Sequence, residues 1–574
     1  MWRVPHLFLK GVDGPSLVWL ASTTAGVAFL LFGYDQGYMS GMLSLSYFLD
    51  TFPDTRDANV GGITVAIYEI GCLFGAIGAI LWGDKMGRKT TILLGMFIMI
   101  IGTVIMTCSY GLPQFIVGRI VCGLGNGFNT ATVPALQSEL APPAIRGSLV
   151  LISGTLIAVG IAIAYWVSLG TYFVESSFSW RGPIAFQIVF ALITTVLLFG
   201  IPESPAWLIR KGYKDEARVT LAKIYRLEPN DPEVDGMLDA AEKSNAEVAA
   251  FRFRDLFTGG PSQNFRRASL AVVSQIFQQI TGINLVSYYA SYLFINTLGL
   301  SQTTGRIMGS VLSTEYALAA AVTVTFVDRL GRRPTMVAGA IGCGVAFVAA
   351  AVLVYFSDRD NNRGAAWGAV AMYFVYNTSF AFGWLGQTWL YPAEISGLAI
   401  RSQVNGLATC ANWLGNFVIV MVTPPGFENI GWALYLVFAI INLFIIAPSV
   451  FLFFVESRGR GLEEIDLVFA EAYADPTLGG YVKHSKTRPH VSGRQLDAEL
   501  ATALRIGKLR HRNGGDIEYV EDVGGAGGEK RGTLRRLESE KKLGPSETNS
   551  SNDSSTREAG AKAVGDDERR EFAL

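Results

Sequence analysis

Three primary amides, Gln275, Gln278 and Gln279, stand in the middle of an apolar stretch from Ala268 to Phe294. Their i, i+3, i+4 spacing places them on one helix face. The stretch is long enough to cross a bilayer, and amides at that depth are costly unless something polar meets them. Asn284 does not share that face of an unbroken helix, but Gly282 is a position where the backbone can unwind and bring it round. Four amides around one glycine suit a polar solute; the plainer reading is hydrogen bonding to neighbouring helices. A second expensive set is Asp35, late in one apolar span, with Arg119, early in another. Each is expected to face the interior and to meet the other. Such a pair is either a static bridge or, if it separates, a site that takes up and releases a proton. Glu69, inside a further span, is a second candidate acid or a helix-packing hydrogen bond.

Elements able to hold such groups must be membrane helices. Half of the 574 residues are hydrophobic and 17% are charged, with mean hydropathy +0.34, values of a polytopic membrane protein. The net charge of −1 says nothing about nucleic acid, but no basic cluster is interleaved with aromatics as in an RNA-binding face, and no nucleic-acid partner is expected. The five cysteines form no CxxC pair, no metal-ligand cluster or nucleophile–base set appears, and no cofactor or enzymatic activity is expected. No cleavable signal peptide is expected either.

Hydropathy predicts an all-α protein of twelve spans. The first six are Leu17–Ser40, Gly61–Trp82, Thr91–Thr107, Gln114–Ala135, Leu149–Gly170 and Ile184–Ile201. The second six are Ala268–Phe294, Ile307–Val327, Met336–Phe356, Trp367–Leu390, Gln403–Val422 and Ala433–Val455. The organisation expected is an N-terminus 1–16, a bundle 17–201, a central loop 202–267 with short helices at Tyr213–Tyr225 and Pro232–Ala250, a bundle 268–455, and a tail 456–574, mostly disordered. Lys85, Arg88, Lys89, Arg146, Arg329, Arg332, Arg333, Arg401, Arg458 and Arg460 fall on one side, which the positive-inside rule makes cytosolic together with both termini and the central loop.

The halves repeat each other. Asp84-Lys85-Met86-Gly87-Arg88-Lys89 follows the second span and Asp328-Arg329-Leu330-Gly331-Arg332-Arg333 the eighth; Glu139 with Arg146 closes the fourth, and Glu394 with Arg401 the tenth. With Pro202-Glu203-Ser204-Pro205-Ala206-Trp207-Leu208, Glu456-Ser457-Arg458-Gly459-Arg460-Gly461-Leu462-Glu463-Glu464, the run 118–127, Gln278–Asn284 and Trp384–Glu394, these residues resemble the sugar porter family of the major facilitator superfamily, up to about Asp466. Gly125–Pro134, Ala164-Tyr165-Trp166, Trp389–Glu394 and Asn412-Trp413 resemble its fungal members, in the branch that includes glycerol–proton symporters.

The resemblance implies the major facilitator fold and alternating access. It implies substrate binding by Gln278, Gln279, Asn284, Trp389, Asn412 and Asn416, since amides donate to and accept from hydroxyls and an indole face suits the C–H side of a sugar. It implies proton coupling at Asp35 and Arg119, and a cytosolic gate of Asp84, Arg88, Glu139, Arg146, Asp328, Arg332, Glu394 and Arg401 that pairs in one state and parts in the other. Two departures stand out: the family's glutamine of the fifth span falls at Gly154, and its asparagine of the eighth at Tyr316, which argues against an ordinary glucose pocket. Ala206 also replaces the family's arginine. The expected function is import of a monosaccharide (hexose or pentose) or small polyol with a proton across the plasma membrane, with the lipid bilayer and tail-binding cytosolic regulators as further partners. The rivals are a proton-independent facilitator and a transporter-like sensor signalling through its tail.

Overall fold

The structure, a computed structural model, describes residues 12–142, 145–250, 253–397, 399–474, 480–489, 499–500, 502–503, 517–521 and 532–536. The chain forms two compact units, Met1–Arg512 and Asn513–Leu574. In the second, Ile517–Glu521 and Gly532–Arg536 pair as an antiparallel hairpin. The tail beyond about Ser485, expected to lack structure, falls mostly outside the described residues, as does most of segment 1–16.

The large unit is helical. Its first half contains α1 (Pro15–Tyr38), α2 (Ala58–Met86), α3 (Arg88–Thr107), α4 (Leu112–Leu140), α5 (Arg146–Tyr172) and α6 (Phe178–Phe199). The second contains α7a (Asn264–Ile280), α7b (Ile283–Tyr292), α8 (Gln302–Leu330), α9 (Arg332–Asp360), α10a (Arg363–Phe380), α10b (Gln387–Ile395), α11 (Arg401–Ile430), α12a (Ala433–Ile440) and α12b (Ala447–Phe453). Single π-turns follow α7b, join α10a to α10b and join α12a to α12b. Counting each broken helix once gives the twelve expected elements. Ten are long and apolar enough by themselves to cross a membrane. The other two are α4, which carries Arg119, Asn126, Asn129, Gln137 and Glu139, and α10, which the π-turn divides. Large apolar side chains such as Phe97, Val196, Leu318 and Phe444 lie exposed on the outside of the bundles, as lipid contact requires.

The helices outrun the apolar spans. α2 covers Ala58–Met86 rather than Gly61–Trp82, and α6 begins at Phe178 rather than Ile184. There Trp180 is buried edge-on against Phe48, Phe52 and Phe115, so tertiary packing carries the helix past its hydropathy boundary. The central segment holds the two expected helices, Lys214–Tyr225 and Pro232–Ala250, and a third, Pro205–Arg210. They share a small core of Trp207, Leu208, Ala217 and Val234. Ala206 contributes its carbonyl, which accepts from Asn245 Nδ2. Past α12b, Leu462–Ala474 and Gly480–Thr487 are helical, and Asp466 forms an ion pair with Arg267 at the start of α7a.

The repeat acquires a physical role at two turns. Gly87, before α3, has φ 96° and ψ 161°; Gly331, before α9, has φ 96° and ψ 159°. Only glycine adopts such angles without strain. Each turn aims the first N–H groups of the next helix at one carboxylate. Glu203 accepts from the N–H of Arg88 and of Lys89, both at 3.1 Å, and Glu456 accepts from those of Arg332 at 2.9 Å and Arg333 at 3.1 Å. An anion there satisfies orphan donors and the positive end of the helix dipole. Burial pushes the Glu203 carboxyl above its usual range, while the N–H groups of Ser204 and Lys89 pull it back. The two signature motifs that end the halves therefore do one job twice.

Between the halves, α2 runs along α11 and α5 along α8. Gly331→Ala forces a strained backbone and sets a Cβ 2.7 Å from Glu456 Oε2, a cost of about 1–3 kcal/mol. Its melting midpoint in detergent should fall by several degrees, whereas Gly170→Ala, which meets nothing within 4 Å, should leave it unchanged.

Candidate functional site

Gly282, at φ +98°, separates α7a from α7b, and a Cβ there would fall 2.8 Å from the Phe347 ring. The carbonyl of Thr281, freed by the break, accepts from Asn442 Nδ2 at 2.9 Å and from the Tyr376 hydroxyl at 3.2 Å. The unwinding expected from sequence is thus present, and α10a and α12 brace it. It brings Asn284 back onto the amide face, where its Nδ2 donates to Gln279 Oε1 at 2.5 Å.

The amides form a directed network. Asn412 Nδ2 on α11 donates to Gln275 Oε1 at 2.6 Å and to Gln278 Oε1 at 2.8 Å, and Gln279 Nε2 donates to Gln278 Oε1 at 3.3 Å. Gln275 Nε2 donates in turn to the Thr388 carbonyl at 2.9 Å, and Gln278 Nε2 to the Trp384 carbonyl at 3.1 Å. Backbone carbonyls only accept, so neither glutamine can be reversed, and both oxygens must point inward. The Trp384 carbonyl lies in the π-turn of α10, and the Thr388 carbonyl stands four residues before Pro392, which has no N–H to bond it.

Asn416, one turn beyond Asn412, is buried, and its Oδ1 has no partner among the described residues. Trp389 stands edge-on to Phe29 at 5.9 Å and Phe32 at 6.4 Å, facing α1 across the interface between halves. The structure therefore gathers Gln278, Gln279, Asn284 and Asn412 into one network, with Asn416 on the same face of α11 and Trp389 at the seam. The set of site residues implied by the resemblance omits three contributors. Gln275 lay on the predicted face; Trp413, next to Asn412, is buried 5.2 Å from Phe32 with its indole N–H unpartnered among the described residues. Thr388 acts through its backbone carbonyl, and the sequence signal for it is Pro392, four residues on and without an N–H to bond it. Of the departures, Gly154 brings α5 so near α10 that a Cβ would lie 3.5 Å from Gly386 Cα, and Tyr316 packs on Phe380 at 6.2 Å.

Above this network, away from the end at which α1 begins, lies a charged layer. Asp35 and Arg119 are fully buried and meet at 3.5 Å. Arg119 is held more closely by others: it donates to the Tyr38 hydroxyl at 2.9 Å and the Val65 carbonyl at 2.7 Å, and lies 4.6 Å from the Tyr68 ring centre. It reaches Val65 because α4 approaches α2 so closely that a Cβ on Gly123 would sit 2.1 Å from the Tyr68 carbonyl. Asp35 Oδ2 has no hydrogen-bond partner among the described residues. The ion pair is long, and the guanidinium keeps two good acceptors without it.

At the end opposite the start of α1 the halves are joined. Arg306 donates to the Gly41 carbonyl at 3.0 Å, Asn296 to Ser44 Oγ at 3.0 Å, and the Tyr165 hydroxyl bonds both Ser40 Oγ and the Ser287 carbonyl. At the end where α1 begins, Leu151 meets Leu390 and Val327, and a cavity of about 80 Å³ opens between α2, α4 and α11 beside Asp84, Arg88, Thr132, Ser402 and Gln403. Here Arg88 pairs with Asp84 at 2.7 Å and Glu139 at 3.4 Å, and Arg332 with Glu394 at 2.9 Å. Ser457 Oγ also donates to Glu394, and Arg401 donates to the Ser396 carbonyl. These contacts stay within one half each. The side chains of Arg146 and Asp328 lie outside the described residues.

Two repeated helical bundles, pressed together around a buried polar core, define a carrier of the major facilitator fold rather than an enzyme. The family model for sugar (and other) transporters matches residues 21–469, and the chain belongs to the sugar porter family of that superfamily. It is similar to the sugar transporter STL1 of Saccharomyces cerevisiae, 39% identical over 483 residues, covering 81% of this chain and 84% of the relative. It is also similar to the high-affinity glucose transporter 1 of Candida albicans, 30% identical over 482 residues, covering 79% and 86%. Among solved structures it is similar to the proton:xylose symporter XylE bound to 6-bromo-6-deoxy-D-glucose, with TM-score 0.69 and 25% identity, covering 79% of this chain and 99% of that one.

Asn412→Asp replaces the donor shared by Gln275 and Gln278 with an acceptor. Facing two fixed oxygens, the aspartate should lower the melting midpoint more than Asn412→Ala, which leaves Gln275 Oε1 unsatisfied at about 1–3 kcal/mol while Gln278 Oε1 keeps Gln279. An equal or smaller effect of aspartate would show that the glutamines can turn.

Proposed function

We propose that this sugar transporter imports a monosaccharide or small polyol together with a proton by alternating access, in a plasma membrane with both termini cytosolic. The observation that carries the coupling is the loose Asp35–Arg119 pair: fully buried, 3.5 Å apart, with one carboxylate oxygen unpartnered among the described residues and the guanidinium bonded elsewhere. Two charges in a dry core are held by each other unless something replaces the partner. Here Tyr38 and Val65 already do so, and protonation of Asp35 removes the remaining attraction at little cost. In the cycle, Asp35 binds a proton from outside, Arg119 stays with α2, and the solute settles between α7 and α11. The halves then rock about the α2–α11 and α5–α8 seams to open the end where α1 begins. The basic residues at that end support a cytosolic placement.

For the substrate, the network of Gln278, Gln279, Asn284 and Asn412 presents inward amides to hydroxyls, with Asn416 beyond it and Trp389 for the apolar face of a ring. The relatives named for sugar and glucose transport support the class.

The test is uptake of glycerol, D-xylose, D-glucose and sucrose in cells lacking their own carriers, at two external pH values, with and without a protonophore. One proton per solute sustains about tenfold accumulation for each unit of pH difference, since a unit is worth about 1.4 kcal/mol. Asp35→Asn should bring the accumulation ratio to about one while leaving counterflow exchange intact. Protonophore-insensitive accumulation, or an Asp35→Asn carrier that still concentrates solute, would sink the coupling.

A further inference from the structure

Glu69 lies on α2, fully buried, one turn beyond the Val65 carbonyl that holds Arg119. Its Oε1 accepts from the hydroxyl of Tyr288 on α7b at 2.5 Å, and its Oε2 has no partner among the described residues. Tyr288 follows Asn284 by one turn, so it shares a helix face with the amide that closes the polar network. This hydrogen bond crosses from one half of the molecule to the other. A helix-packing bond needs neither a carboxyl group nor a partner on the moving half.

The groups facing Glu69 make its charge a matter of accounting. From α1 comes Asp35 with Tyr38, from α4 comes Arg119, from α7b comes Tyr288, and α2 itself adds Tyr68 and Cys72. α11 presents Trp413, which does not titrate, 6.5 Å from Tyr68. The layer thus holds two carboxyl groups and a single guanidinium with which to balance them. Two carboxylates sharing one cation away from water cannot both stay ionised at modest cost. With the halves closed, one proton is retained between Asp35 and Glu69.

We infer that Glu69 is a second proton-exchanging carboxyl, and that Tyr288 makes its exchange depend on the position of α7b. While α7b is packed against α2, the Tyr288 hydroxyl covers Glu69 and the layer keeps its proton. When α7b swings away, Glu69 loses that hydroxyl and meets the water entering between the halves, and the proton leaves from or returns to its carboxyl oxygen. No bond other than O–H is made or broken. Because α7b also carries Asn284, solute at the amide network and the proton at Glu69 report on the same helix. This inference rests on the symport reading above and adds to it the residue that ties proton exchange to helix movement.

The experiment compares wild type with Glu69→Gln, Glu69→Asp, Tyr288→Phe and Asp35→Asn in proteoliposomes, using whichever of labelled glycerol, D-xylose or D-glucose the wild type accumulates. Two quantities are measured: accumulation under an imposed pH difference, and the pH profile of counterflow. Glu69→Gln keeps an acceptor for Tyr288 but holds no exchangeable proton. It should retain counterflow while its accumulation ratio falls about tenfold per pH unit, to about one. Glu69→Asp should recover part of the accumulation, and Tyr288→Phe should move the counterflow pH profile by about one unit, a tenfold change in proton affinity. If Glu69→Gln accumulates like wild type while Asp35→Asn does not, the inference fails and the symport reading stands. If wild type itself reaches a ratio of only one, the symport reading fails and the inference with it. Should Glu69→Gln not fold, an unshifted Tyr288→Phe profile overturns the inference.

Discussion

Backbone polarity inside a bilayer is the constraint on which this structure depends. Breaking a membrane helix at Gly282 exposes a carbonyl and turns α7b off the line of α7a, and lipid offers nothing to satisfy either change. The protein meets the demand from within: Asn442 and Tyr376 bond the freed Thr281 carbonyl, and Asn284 returns to Gln279. Once α7 is broken, α10 must supply acceptors for Gln275 and Gln278: its π-turn holds the carbonyl of Trp384, and Pro392, without an N–H, leaves that of Thr388 free. The second half therefore carries the irregular helices, and the site follows from how their loose ends are tied.

The first half answers with charge rather than with broken backbone. Arg119 is tied to α1 through Tyr38 and Asp35 and to α2 through Val65, and so holds three helices of one bundle together. Its cost of burial is spread over several acceptors instead of a single strong ion pair. That distribution leaves the nearest carboxylate only weakly held, which is what a group must be if its charge is to change during a cycle.

At the ends, both halves use the same device. A glycine turn hands the N-terminus of α3 to Glu203 and that of α9 to Glu456, and the nearby arginines bind acids of their own half. Each bundle is in this way stiffened separately. Contacts that cross between bundles are of another kind: guanidinium to carbonyl, hydroxyl to carbonyl or carboxyl, amide to hydroxyl, aromatic edge to aromatic edge. Rigid halves joined by exchangeable contacts are what a rocking motion requires.

Much of this was legible in the residue order. Apolar run lengths marked the helices, the paired glycine–arginine turns declared the duplication, and the i, i+3, i+4 amides with Gly282 announced a polar break. Those features are local, and periodicity or backbone chemistry is enough to impose them. Three matters were decided only in three dimensions. α4 and α10 fall short of the hydropathy of the other ten spans because their polar residues and turns are satisfied by neighbours that no local window contains. The role of Glu203 and Glu456 as helix caps depends on segments more than a hundred residues away. The bond from Tyr288 to Glu69 spans 219 positions and joins the two halves. The sequence by itself determined which residues could not tolerate lipid; the tertiary structure decided which of them would meet, because hydrogen-bond reach is a matter of ångströms between helices and carries no trace along the chain.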